Sequence, residues 1–218
     1  MNIDRLSIQG PANAGFVEID TVYGLYLKWR VISAPTPKTL FYDIPGMNGS
    51  IDSTEEFGEV IYNDRTLALD CVYPADSWQS DHQKFMDAYH GQLVKIAFSN
   101  DPDYYWSGRL TVGAYSAKDH SQQMSALVYP YKFKKQLTTK TQTGSGSVTL
   151  KNGRMKVVPE VTFSGPVTLA WGTYTKELSA SSYPQTVKIA GLELTEGDTV
   201  VTVTGSATVT FSYREGAL

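Results

Sequence analysis

The residues most able to do chemistry in this 218-residue chain are its three histidines, its single cysteine and an aspartate pair around a proline. His82 and His90 lie eight residues apart in a segment of helical periodicity, which sets them about 80° apart around the axis. A helical zinc site takes two ligands four residues apart, as in H-E-x-x-H. With no second cysteine and no other cluster, no metal ligand is expected. His82 reads as solvated and His90 as favouring the negative end of the helix. Cys71 sits in an alternating run between Leu69 and Tyr73, the setting of a buried thiol and not of a nucleophile, which needs an exposed electropositive site. Asp101 and Asp103 flank Pro102 directly after an apolar run. Paired acids can drive glycoside hydrolysis or hold calcium. Asp, Asn and Pro also build turns, and a structured turn is the expectation here. Gly144-Ser-Gly-Ser147 lacks the Lys of a phosphate loop, and no G-x-S-x-G or C-x-x-C occurs. No catalytic residue and no cofactor is therefore expected. Trp171, Tyr174 and Tyr183 could stack on sugars if they face outward, though a lone aromatic in a small β-domain usually packs into its core.

The elements that position these residues are mostly strands. Leu25, Leu27, Trp29 and Val31 fall on one face of a period-two run, with Lys28 and Arg30 on the other. Leu67, Leu69, Cys71 and Tyr73 share a face in the same way. Runs 94–99, 106–115 and 124–133 predict further strands, the last limited by Pro130. One segment breaks the pattern: Trp78, Phe85, Met86 and Tyr89 have helical offsets. They predict a single helix over about 78–90, capped by Asp76 or Ser77 and stopped at Gly91. Near the end, two alternating runs flank Gly205-Ser206, which predicts a hairpin with a type II′ turn.

Composition divides the chain. Residues 1–140 hold 13 Lys/Arg against 16 Asp/Glu and 20 aromatics, whereas residues 141–218 hold 6 of each charge and 6 aromatics, with 14 Thr and 10 Val. The stretch Thr138–Ser147 is small, polar and Gly-containing and reads as a linker. The expected domains are therefore 1–142 and 143–218, the second a β-sandwich by its short strands and turn spacing. The net charge of −3 gives no general attraction to nucleic acid. No apolar run reaches the ~20 residues of a bilayer span, and no secretory signal opens the sequence.

A Gly-rich acidic loop (residues 44–58, with Gly46 and Gly49), a strand starting at Arg65, one helix, and the run Asp101-Pro-Asp-Tyr-Tyr-Trp-Ser-Gly-Arg109 follow one another in this order. This set resembles the distal tail protein family of long-tailed, non-contractile bacteriophages and prophages of Gram-positive bacteria. The closing Phe211–Leu218 is similar to the end of such proteins. The resemblance implies a mainly β protein: an N-terminal β-sandwich or split-barrel-like domain with one helix, and a C-terminal galectin-like β-sandwich. It implies a structural, non-enzymatic role at the distal end of the virion tail, in a protein made in the host cytoplasm. A homo-hexameric ring is implied, with the major tail tube protein on one side and a tail-associated fibre or lysin protein on the other. A receptor-binding protein is a further implied partner, and DNA passes through the lumen without a membrane being entered. Gly46, Gly49, Arg65, Asp101, Asp103, Tyr104 and Arg109 are the implied assembly or structural motif residues. A carbohydrate-binding adhesion module and an accessory domain of a cell-wall enzyme stay open as alternatives.

Overall fold

The computed structural model describes residues 4–56, 58–74 and 78–218. The cap expected at Asp76 or Ser77 lies outside them. The chain forms two compact units, Met1–Pro130 and Tyr131–Leu218.

The N-terminal unit contains β1 (Leu6–Gln9), β2 (Val17–Glu18), α1 (Ile19–Tyr23), β3 (Tyr26–Ile32), β4 (Phe41–Asp43), β5 (Ser50–Asp52), β6 (Arg65–Val72), α2 (Trp78–Tyr89), β7 (Leu93–Phe98), β8 (Asp101–Ser116) and β9 (Ser121–Val128). Its antiparallel sheet runs β2-β1-β7-β8-β9-β6-β3. Period-two alternation gives this sheet an apolar inner face: Leu6, Ile8, Val94, Ile96, Leu110, Val112, Met124, Ala126, Leu67 and Leu69 are all buried there. The helix α2 covers that face with Phe85 and Tyr89, both buried, as its offsets predict. A second, five-residue helix, α1, was not expected. It ends where Gly24 takes a φ of 62°, and its Tyr23 ring meets Phe85 and Tyr89 edge-on at 5.4 and 5.7 Å.

The strand β3 departs from the sequence pattern. Its register against β6 shifts between Leu27 and Trp29, so the run does not alternate straight through. One extra residue reverses the facing of everything after it. Trp29 and Val31, expected inside, are exposed, and Arg30, expected outside, turns in. Its guanidinium lies 3.6 Å from the Phe98 ring centroid, pairs with Asp4 at 3.0 Å and donates to the Asn100 side chain at 2.6 Å. Phe98 is on β7 and Asp4 precedes β1, across the sheet from β3, so this contact curls the sheet toward closure in the manner of a split barrel.

The C-terminal unit contains β10 (Lys132–Lys134), β11 (Thr138–Thr143), β12 (Gly146–Asn152), β13 (Glu160–Phe163), β14 (Val167–Trp171), β15 (Tyr174–Leu178), β16 (Gln185–Lys188), β17 (Gly197–Thr204), β18 (Thr208–Tyr213) and β19 (Gly216–Ala217). Two four-stranded sheets, β11-β18-β13-β16 and β12-β17-β14-β15, face each other. Val161, Phe163, Val209 and Phe211 from one and Leu150, Leu169, Val201 and Val203 from the other share one core. This is a β-sandwich. Strands β10 and β19 pair beside it, with Lys134 and Glu215 3.2 Å apart.

Two expectations are corrected here. The linker read over Thr138–Ser147 is strand β11, an arch at Gly144-Ser145, and the start of β12. Its threonines pair across to β18: Thr141 meets Thr210 at 3.1 Å and Thr143 meets Thr208 at 3.2 Å. The hairpin read around Gly205-Ser206 is also an arch, because β17 and β18 lie in different sheets. The two arches clasp each other. Gly205 N–H donates to Ser145 Oγ at 3.0 Å, and Gly144 N–H to the Ala207 carbonyl at 3.0 Å.

Replacing Phe85 with Ala is expected to cost about 3–5 kcal/mol, as for a fully buried aromatic. Gln79→Ala, on the exposed face of α2, should stay within about 0.5 kcal/mol. Chemical denaturation of both variants measures the contrast, and small equal effects would refute the assignment of the buried face.

Alkaline sensitivity is expected in the sandwich. Burial, reinforced by the Glu215 carboxylate, pushes the Tyr213 phenol up to about 12 from an ordinary 10.0. The folded protein thus holds this proton more tightly than the unfolded chain. The stabilisation is complete below pH about 10 and is lost as pH rises to about 12. Denaturation across that window should show a shallower loss in Tyr213→Phe than in the wild type.

Candidate assembly surface

Between β3 and β6 the chain leaves the sheet and pairs with itself. Asn63 N–H donates to the Thr36 carbonyl at 2.9 Å, Lys38 N–H to that of Ile61 at 2.7 Å and Ser53 N–H to that of Leu40 at 2.9 Å. At the far end β4 and β5 form a hairpin that joins no other sheet. Its turn passes through Gly46 and Gly49, with φ of 88° and 78°, values that favour glycine. The structure thus explains these two glycines by backbone conformation.

The hairpin has no buried face. Phe41, Tyr42, Ile44, Met47, Ile51 and Ile61 are each exposed by more than 40%. An isolated two-stranded hairpin is at best marginally stable in water, and this one shows apolar side chains on both faces. Around them stand Asp43, Asp52, Glu55, Glu56 and Glu59. Two hydrogen bonds from Thr54 hold the Asp52 carboxyl below the usual carboxylate range.

Arg65 is the post on which this excursion is mounted. Its Nε donates to the Ser33 carbonyl at 2.6 Å, at the base of the excursion, and its Nη1 to that of Pro130 at 3.4 Å. Its guanidinium also lies 4.7 Å from the Trp106 ring, so Arg65 joins the hairpin base to the run 101–109.

That run is strand, not the expected turn. The turn is Ser99-Asn100, because Phe98 already pairs with Asp101. Between that pair and Ile96–Trp106 the ladder bulges, and Pro102 sits in the bulge, where its missing N–H costs no ladder bond. Asp103 is exposed and Asp101 and Tyr104 are half-buried, whereas Tyr105 and Trp106 are buried. Arg109 donates to the Gly91 carbonyl just after α2. It is thereby anchored at the negative end of that helix. The structure brings Arg65 and the 101–109 run together and leaves the Gly46–Gly49 turn apart on the hairpin.

Some residues escaped the sequence reading. Trp29 and Val31 join Leu93 and Leu127 as exposed apolar side chains on the outer face of the sheet. Trp29 roofs a groove lined by Ala68, Gly113, Gln123 and Ser125. Gly108 is required by contact: a Cβ there would stand 2.2 Å from the Leu127 carbonyl oxygen and 2.7 Å from Val128 Cα. The apolar density of Phe41-Tyr42-Asp43-Ile44 was the available signal for the hairpin; no sequence signal marked the bulge at Lys28.

Chemistry at the other sites is bounded by their surroundings. His90 lies just after α2 and accepts the Val112 N–H on Nδ1 at 3.2 Å, which ties the end of the helix to β8. His82 is packed among Tyr73, Trp78 and Tyr115, with ring centroids 5.5 to 6.2 Å away, and is not simply solvated. Burial pushes the Cys71 thiol well above its ordinary range, which removes the thiolate a nucleophile needs. Among the described residues no three His, Cys, Asp or Glu side chains are grouped to hold a metal ion, and no helix is long and apolar enough to cross a membrane.

Gly108→Ala should destabilise the protein by at least about 1–3 kcal/mol, because backbone and not a flexible side chain occupies the space. Asp103→Ala, a change at an exposed carboxylate, should leave stability within about 0.5 kcal/mol. Thermal or chemical denaturation of the pair tests whether the run matters through its packing or through its charges.

No family model and no curated protein matches the chain. Solved structures do. The Dit protein (gp 19.1) of SPP1, described as a paradigm of the hub adsorption apparatus in phages infecting Gram-positive bacteria, superposes with a TM-score of 0.67 at 14% identity. The match covers 98% of this chain and 99% of that one. Chains of the phage P2 baseplate in its activated conformation, with Ca and with Sr, give TM-scores of 0.44 at 6% and 5% identity. They cover 99% and 97% of this chain and 99% and 98% of theirs. Along nearly its whole length, the chain has the mainly β fold of SPP1 Dit.

Proposed function

We propose that this protein is a distal tail protein: a structural ring at the tail tip of a phage, working by geometry and not by catalysis. The observation that carries this reading is the near-complete correspondence of both units, in order, to SPP1 Dit. In this reading the N-terminal units form a hexamer that joins the tail tube to the tail-associated fibre or lysin protein. A receptor-binding protein attaches beyond it, and DNA crosses the lumen. The acidic excess over residues 1–140 suits a wall along which DNA must slide, since protein attraction to DNA rests on cationic groups.

The surface of the N-terminal unit supports a ring made from head-to-tail contacts. The chain carries an apolar, acid-flanked hairpin and, separately, an apolar outer sheet face with Trp29, Val31, Leu93 and Leu127 beside Lys95 and Arg109. Two different patches that complement each other in charge and in apolar character form a heterologous contact, the type that closes into rings when the rotation fits. Arg65 and the 101–109 run serve this contact by holding the hairpin base, and Gly46 and Gly49 by shaping its tip.

Light scattering coupled to size exclusion should give the mass of a hexamer for the wild type at high protein concentration. The double variant Phe41→Asp, Ile44→Asp should run as a monomer with an unchanged melting temperature, because both side chains are exposed within the protomer. A closed wild-type dimer would overturn the ring. A hexamer indifferent to the hairpin charges would overturn the hairpin contact.

A further inference from the structure

The three aromatics of the sandwich that could stack on sugars have different fates. Tyr183 is committed to the fold: its ring meets Phe163 edge-on at 5.8 Å, and its hydroxyl oxygen accepts the Ala180 N–H at 3.1 Å. Trp171 and Tyr174 are not used up in this way. They end strands β14 and β15 and face each other as a cross-strand pair, with ring centroids 6.0 Å apart and planes within 25°.

Register decides where this pair points. Along β15, Leu178 is buried and pairs with Val167, and Lys176 pairs with the buried Leu169. Tyr174, Lys176 and Leu178 therefore lie on the side that faces the sandwich interior. Only Leu178 is covered there; Lys176 is exposed and Tyr174 is 62% exposed. The inner side of this edge strand is open at one end. Its floor is an aromatic pair and its rim carries an ammonium.

The floor is also held in place. Trp171 is half-buried against the core, and its Nε1–H donates to the Gly191 carbonyl at 3.0 Å. The indole is thus fixed between the β14–β15 turn and the turn Ile189–Leu192, and Tyr174 is stacked on a rigid base. A solvent-facing aromatic ring held in this way binds with little loss of side-chain freedom.

We infer that Trp171, Tyr174 and Lys176 form a binding site for a hexopyranose unit of a polysaccharide. One face of a pyranose presents a row of C–H groups, which suits the electron-rich face of Tyr174. Its edge presents hydroxyl oxygens, which accept from the Lys176 ammonium. This inference concerns the C-terminal unit alone and stands or falls independently of the ring, because its readout is sugar binding and not mass.

The experiment is saturation-transfer NMR on the full-length protein with the methyl glycosides of glucose, galactose, mannose and N-acetylglucosamine. Transfer is expected onto the ring C–H protons of one sugar face for at least one glycoside. Tyr174→Phe, which keeps the ring, should retain it. Tyr174→Ala should weaken binding at least about tenfold, and Lys176→Ala should weaken it by a smaller factor. Both side chains are exposed, so melting temperatures should be unchanged, which separates loss of binding from loss of fold. Absence of transfer for all four glycosides, or equal transfer to Tyr174→Ala, overturns the inference.

Discussion

Arg30 is the residue on which the shape of the N-terminal unit depends. A long antiparallel sheet with a helix on one face has two open edges, and each is a site of unwanted pairing. Here an arginine from the edge strand β3 reaches the ring of Phe98 on β7 and the carboxylate of Asp4 before β1. A guanidinium is suited to this task because it stacks on an aromatic face and pairs with a carboxylate at once. The ion pair is only partly shielded, with side-chain exposures of 20% and 24%, so the ring contact shares the work of holding the sheet curled. The bulge at Lys28 makes this possible, and the same bulge turns Trp29 and Val31 outward. One extra residue in a strand thus creates both the internal clasp and an apolar outer surface.

The hairpin follows the same logic of surfaces made for something else. Its side chains contribute nothing to the core, which is complete without them. What the protomer invests in the hairpin is its mounting. Arg65 donates at its base and lies over Trp106, and Trp106 belongs to the strand that Gly108 allows to approach β9 closely. A patch carried on a rigid base presents the same geometry in every copy, which is what the proposed ring of identical subunits would need to close.

Much of this architecture is legible in the residues, and the limits have definite causes. The faces of β6, β9 and α2 follow from spacing alone, because burial on one side imposes a period of two or of 3.6. Cys71 and Phe85 lie where their neighbours imply. The bulge in β3 is not legible, since Leu-Lys-Trp-Arg-Val alternates perfectly and only the partner strand shows the slip. The arches at Gly144-Ser145 and Gly205-Ser206 carry the turn chemistry of hairpins. Whether a Gly-Ser turn joins neighbours in one sheet or crosses to the facing sheet depends on distant strands, not on the turn. The threonines of β11 looked like a linker for a related reason. Thr-Thr-Lys-Thr-Gln-Thr is polar throughout, and its pairing with β18, far along the chain, supplies the order that its composition hides. At the candidate site, Gly46, Gly49 and Arg65 were recognisable, whereas the exposure of Phe41, Tyr42 and Ile44 is a three-dimensional fact.

The arches carry a consequence for how the sandwich comes to exist. Because β11 pairs with β18, and β12 with β17, the unit contains few contacts between neighbours in sequence at those points. Thr138 meets Tyr213 and Gly146 meets Val203, so the strands made early have their partners among the strands made late. Such non-local topologies close slowly, since loop entropy is lost before the pairing compensates for it. During synthesis β11 and β12 must wait, unpaired, until β17 and β18 have emerged. Their threonine-rich, alternating sequence is suited to that interval: soluble when single, and committed only when the last strands of the sandwich arrive.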